Sequence, residues 1–238
     1  MCIRDRGVVT SLSRTAPAIA ALVVAVSVTV GLGVMIQSFR GSLETWLEGT
    51  LQADIYVSLP GPTASRATGT LWPGVVEAFV SHPDVVAHST YRAVDLLEAR
   101  GGYRMVALDL DPRGEGAFEF LSGDHAEIMA AFQAGEGVTV SEPFAFHRGL
   151  ERGDEVALPT PAGERAFPIL GVFRDYGSDQ GTVMMSRRIY DAWFDDPDIT
   201  SLALFLRPGA DSDAVVSDLL ALVPEGRTVI ARTNDTLR

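Results

Sequence analysis

The side chains that could do chemistry are four histidines, one cysteine and a few clusters of acids. His82, His88, His125 and His147 form no H-E-x-x-H arrangement, and no two stand four residues apart. Each reads as a solvated or core histidine, not a metal ligand. Cys2 stands alone, which excludes an internal disulfide and a cysteine-based metal site. Asp109, Asp111 and Glu115 in DLDPRGE carry part of a calcium-loop pattern, but the third acidic position and the closing Glu are missing. Asp195, Asp196 and Asp198 flank Pro197 and read as a solvated turn, while Trp193 and Phe194 just before them read as core. There is no G-x-S-x-G elbow and no S-x-x-K. All 19 basic residues are arginine, so a phosphate-loop, kinase or Schiff-base lysine is excluded. The expectation is a protein with no catalytic, cofactor-binding or metal residues. It is not an enzyme and does not hydrolyse ATP itself.

The elements that carry these residues begin with an uncharged run. Thr15 to Ile36, TAPAIAALVVAVSVTVGLGVMI, lies between Arg14 and Arg40 with no charge inside it. As a helix its 22 residues rise about 33 Å, enough to cross a hydrocarbon core. Pro17 near its start sits where a missing N–H costs least. The run is longer than a signal peptide's apolar region and no A-x-A site follows it, so it reads as an uncleaved span. Ala21 and Ala25, Ser27 and Gly31, and Thr29 and Gly33 are small pairs four apart, which either let helices approach closely or only reflect membrane-helix composition.

Charge divides at the span. Residues 1–40 hold four arginines against Asp5, and residues 41–238 hold fifteen against thirty acids, for a net charge of −12. An acidic chain lacks the basic face that nucleic acid requires. The arginines before the span place the N-terminus in the cytoplasm and everything after about residue 36 outside. The expected order is a cytoplasmic stub at 1–14, a span at 15–36, a stalk helix at 37–53, an extracytoplasmic domain at 54–232 and a returning helix beginning at 233–238. Residues 1–6, MCIRDR, have no readable pattern and need not be native to the gene. On the stalk, Ile36, Phe39, Leu43, Trp46, Leu47 and Leu51 recur at helical spacing.

Beyond Ala53 short strands and helices alternate. Strand patterns cover 54–59, 85–100, 103–110, 137–141, 155–159, 165–175, 182–185, 201–206 and 227–231. Helical patterns cover 73–81, 125–134, 186–194 and 211–223. The first of these helices places Val76, Phe79 and Val80 on one face. PGPTASRATGT at 60–70 is a loop, Gly101-Gly102 signals a hairpin, and Thr160–Gly163 is a turn. Glu142-Pro143 and Gly153-Asp154 read as turn chemistry. Thr233 and Asn234 look like the cap of a new helix. With 238 residues, 47% of them hydrophobic, and a mean hydropathy of +0.17, the chain can bury a sizeable core. The mixture predicts an α+β ectodomain on one N-terminal transmembrane helix.

Several spaced blocks together resemble a known family. They are SFRGSLETWLEGTLQADIYVS at 38–58, the stretch from Glu142 to Leu158, GVFRDYGSDQGTVMMSRRIYDAW at 171–193 and LRPGAD at 206–211. The order of span, outward helix and α+β domain is similar to the FtsX-like permeases of ABC transporters, which include MacB-type exporters and lipoprotein-releasing permeases. The resemblance implies a MacB-like periplasmic core domain and a permease in the inner membrane. It implies a separate cytoplasmic ATPase, a second permease subunit or repeat, and lipid around the span as partners. It also implies that ATP-driven motion passes up the stalk to the ectodomain, for export, lipid or lipoprotein extraction, or signalling. Such permeases have four or more spans, so the chain reads as a fragment ending before the next one. Two other classes remain, a single-pass sensor or scaffold with a ligand-binding ectodomain and a membrane-tethered enzyme. The short cytoplasmic stub weighs against the first, and the empty catalytic inventory against the second.

Overall fold

The computed structural model describes residues 12–61, 69–98, 101–175 and 180–237. The side chains of 12–15, 42–50, 235 and 237 fall outside that description, and with them half of the apolar stripe expected on the stalk, Leu43, Trp46 and Leu47. The 1–6 segment and the loop at 62–68 lie outside it too. The structure divides into two units, Met1–Glu48 and Gly49–Arg238.

The first unit is built on α1 (Leu12–Thr50), one uninterrupted helix of 39 residues. Span and stalk are therefore continuous. Within it Ala16–Gly41 is 26 residues long and apolar enough to cross a membrane. Its large apolar side chains are exposed among the described residues; Leu22 is 64% and Val28 62% exposed. A helix apolar all round with no protein cover needs lipid or partner helices to be stable. The Thr29 hydroxyl donates 2.8 Å to the Ala25 carbonyl and so satisfies itself without a partner. Pro17 is inside the helix and not at its start, because the backbone turns helical several residues before the uncharged run begins.

The second unit holds β1 (Ile55–Ser58), α2 (Pro73–Val80), β2 (Val85–Glu98), β3 (Gly101–Asp109), a 3-10 turn at Pro112–Ala117 and α3 (His125–Ala134). Then come β4 (Val138–Ser141), α4 (Glu142–Arg148), β5 (Glu155–Thr160), β6 (Gly163–Phe173) and β7 (Thr182–Ser186). The unit closes with α5 (Arg187–Trp193), β8 (Ser201–Leu206), α6 (Ser212–Ala221), β9 (Ile230–Thr233) and α7 (Asn234–Leu237). Among the described residues the strands form one sheet ordered β5-β6-β4-β7-β3-β2-β8-β1-β9. Only the pairs β3–β7 and β4–β6 run parallel. The expected α+β domain is present, as a mixed sheet.

Opposed residues on paired strands share a face. The pairs Met105–Val94 and Thr90–Leu202 therefore place two cores on one side of the sheet. One packs Tyr103, Met105, Val140 and Val183 against Phe144 of α4 and Ile189 and Tyr190 of α5. The other packs Ile55, Val57 and Leu204 against Val75 and Phe79 of α2 and Leu219 of α6. On the opposite face Val106 and Leu108 meet Met129 and Phe132 of α3.

Several expectations need correction. Glu142–Arg148 is a helix, not a turn, because Pro143 stands in its first turn, where no N–H is required. On α2 the buried residues are Val75 and Phe79, while Val76 and Val80 are only half-buried. The hairpin glycines are the first two residues of β3, paired with Glu98 and Leu97, and residues 99–100 lie outside the described residues. The last strand begins at Ile230, three residues later than its pattern predicts. Thr233 and Asn234 do lead into a new helical turn.

Candidate functional site

The feature most relevant to function lies where the chain comes into the domain and where it leaves. β1 and β9 are antiparallel neighbours at one end of the sheet, with Ile55 opposite Thr233. Leu51–Asp54 and the start of α7 therefore lie side by side. Asp54 anchors the inbound segment to β8: its N–H donates to the Leu204 carbonyl at 3.0 Å, and its carboxylate accepts the Leu206 N–H at 2.7 Å. The Ala53 N–H donates to the Tyr56 hydroxyl at 3.0 Å. Asn234 closes the junction. Its N–H donates to the Asp54 carbonyl at 2.9 Å, and its side-chain amide donates to the carbonyls of Leu51 at 2.8 Å and Ala53 at 3.1 Å. Sequence reading saw Asn234 only as a cap and missed this role, since its partners are some 180 residues away.

A second polar group braces β2 against the segment after α5. Asp196 accepts from Arg92 Nε at 2.8 Å, from the Tyr190 hydroxyl at 2.7 Å and from the Asp198 N–H at 3.0 Å. Arg92 Nη2 lies 2.7 Å from the same carboxylate, with the two side chains 18% and 23% exposed. Arg187 donates to the carbonyls of Asp196 and Asp198, both at 2.8 Å. The expected solvated turn is thus a half-buried carboxylate network. Burial alone would raise the Asp196 pKa, but the hydrogen bonds from Tyr190 and Arg92 outweigh it and lower the pKa. Burial, followed by the hydrogen bond to Asp196, pushes the Tyr190 hydroxyl up to about 12. Trp193 and Phe194 are partly buried against the first core, as expected of core aromatics.

The remaining candidates are brought to no common centre. His88 and His147 are exposed, while His82 and His125 are half-buried. His82 accepts the Asp84 N–H through Nδ1 at 3.2 Å. Asp111 caps the 3-10 turn, accepting from the Arg113 backbone at 3.0 Å and from Arg113 Nε at 2.7 Å. Among the described residues no group of three or more His, Cys, Asp or Glu could hold a metal ion. A shallow cleft of about 470 Å³ is lined by Leu121, Ala145, Phe146, Leu150 and Val172, with Glu142, Glu151 and Arg152 as its charged members.

Comparison of the fold decides what kind of domain this is. The periplasmic region of MacB from Actinobacillus actinomycetemcomitans superposes on 80% of this chain and 93% of its own, with a TM-score of 0.54 at 11% identity. The domain has the fold of the MacB periplasmic region. The extracellular domain of the ABC-type transporter YknZ from Gram-positive bacteria gives a TM-score of 0.46 at 7% identity over 76% of this chain and 98% of its own. In sequence, the chain is 36% identical over 245 residues to an uncharacterized ABC transporter permease protein of Mycobacterium tuberculosis. That match covers 98% of this chain and 28% of the relative, so the chain spans a little over a quarter of the relative's length. No protein-family model matches the chain. The resemblance to ABC transporter permeases thus stands in sequence, and the resemblance to MacB stands in the fold of the domain.

Proposed function

We propose that this chain is the first span, stalk and ectodomain of an ABC transporter permease. In this reading it relays ATP-driven motion of a separate cytoplasmic ATPase to its MacB-like domain, for export, lipid or lipoprotein extraction, or signalling. The N-terminus is cytoplasmic and residues after about 36 are extracytoplasmic. A second permease subunit or repeat supplies further spans, and lipid surrounds Ala16–Gly41. The chain has no catalysis of its own.

The observation that supports this reading is the junction. An unbroken helix delivers the chain to β1, and β9 beside it delivers the chain to α7. In this reading motion of the stalk enters the domain at Leu51–Asp54, beside the point where α7 begins. The test is Thr45→Pro in the full-length protein, assembled with its ATPase in lipid nanodiscs. Proline removes one helical hydrogen bond and clashes with the preceding turn, costing about 3 kcal/mol or more. The expected result is continued ATP hydrolysis with loss of ATP-dependent hydrogen-exchange changes in the ectodomain. Unaltered ATP-dependent changes would mean that the stalk is only a tether.

A further inference from the structure

We infer that Asn234 is the positioning residue that clasps the inbound and outbound segments of the ectodomain, so that displacement of one moves the other. This rests on the relay reading above and names the residue within the junction that carries the coupling. Side-chain chemistry makes the assignment specific. An amide nitrogen has two hydrogens, and at Asn234 each finds a backbone carbonyl of the inbound segment, Leu51 at 2.8 Å and Ala53 at 3.1 Å. The backbone N–H of the same residue takes the Asp54 carbonyl at 2.9 Å. One residue at the start of α7 thus holds three carbonyls within four consecutive residues that follow α1.

The neighbouring contacts explain why a clasp is needed here. The N–H and carboxylate of Asp54 tie the inbound segment to β8, while its carbonyl reaches the outbound segment through the Asn234 N–H. β9 is short and has a partner on one side only, β1. Beyond the Ile55–Thr233 pair one backbone bond follows, from the Asn234 N–H to the Asp54 carbonyl, and past it the Asn234 side chain carries the connection to Ala53 and Leu51. Thr233 and Thr236 hydrogen-bond each other at 2.8 Å and so brace the turn of α7 that presents Asn234. An aspartate in this place could not donate and would face two carbonyl oxygens with a negative charge, whereas an alanine would only release them.

The experiment uses the full-length permease with its ATPase in nanodiscs, read by hydrogen exchange in peptides covering 49–58 and 228–237. Measurements with and without ATP are compared for wild type, Asn234→Ala and Asn234→Asp. In wild type both peptides are expected to change protection together on ATP addition. In Asn234→Ala the 49–58 peptide should still respond while the response at 228–237 falls below wild type, the β1–β9 ladder carrying the remainder. In Asn234→Asp exchange at 49–58 should also rise above wild type before ATP is added. Protection across β4 and β7 should stay native in both variants. Should Asn234→Asp fail to fold, Asn234→Ala carries the test without an added charge. Retained paired responses in Asn234→Ala would overturn the clasp, and so would a loss of protection throughout β4 and β7, which would make Asn234 merely structural. A wild type with no ATP response in either peptide would overturn the relay reading, and the clasp with it.

Discussion

Gly181 offers the sharpest quantitative test of how the core is assembled. It precedes β7 at φ +89°, and a Cβ built there would stand 2.6 Å from the backbone nitrogen and Cβ of Phe144, and 2.7 Å from its Cα. Phe144 is 1% exposed and packs edge-on to Tyr103 at 5.2 Å, so α4 cannot back away without opening the first core. Gly181→Ala should therefore cost the left-handed backbone penalty of about 1 kcal/mol plus about 2 kcal/mol of overpacking. Gly149→Ala provides the control. That glycine ends α4 at φ +65° with nothing within 4 Å of a built Cβ, so only the backbone penalty of about 1 kcal/mol applies. At roughly 2–4 °C per kcal/mol for a domain of this size, the melting temperatures should fall by about 6–12 °C and about 2–4 °C respectively. Thermal unfolding followed by tryptophan fluorescence reads this directly, because Trp193 packs against the affected core. Equal shifts for the two variants would refute the argument from close approach and leave only backbone conformation.

Other expectations concern charge, topology and chemistry. Asp196→Ala leaves Arg92 and Tyr190 without their acceptor and should cost about 2 kcal/mol in urea unfolding. Because the folded pKa of Asp196 is lowered, its stabilisation is complete above the ordinary carboxylate pKa of about 3.9 and is lost as the pH falls below that value; Asp196→Asn should flatten this acid limb. Tyr190 has the opposite sign: its raised pKa gives stability that is intact below about pH 10 and lost as the pH climbs toward about 12, a loss that Tyr190→Phe should abolish. An alkaline-phosphatase fusion after Arg238 should be active, and a fusion active only in the cytoplasm should be silent. Calorimetry of the purified chain with Mg-ATP should give no binding heat, since no lysine or phosphate loop is present.

Local patterning made most elements legible. α3 and β8 have the boundaries that their patterns predict, because Asp124 caps the helix visibly and the apolar strand run is closed by Arg207-Pro208. The sheet order was not legible. β3 lies beside β7 and β4 beside β6 in parallel, and no hairpin signal exists for strands joined across other elements. α4 was hidden by its Glu-Pro start, a pair that opens turns and helices alike. The same distance effect hid the site residues. Asp196 looked like a solvent-facing acid because Arg92 is 104 residues away. The apolar span needed no tertiary information, since its composition alone sets its solvent.

The pairing of the first strand with the last has a consequence for how the domain is made. Leu51 and its clasp at Asn234 are 183 residues apart. At roughly 5–20 residues per second, a ribosome needs on the order of 10–40 s to travel that far. For most of that interval, until β8 is made, Ile55 and Val57, 0% and 1% exposed once folded, have neither β8 nor β9 to pair with. The nascent chain thus carries a naked apolar strand until β8 emerges, and the domain cannot fold vectorially from its N-terminus. Translation stalled anywhere before Ser201 would leave that strand available to any other open sheet edge, which makes prompt completion, or a holdase that shields Ile55–Ser58, a condition of this domain's yield.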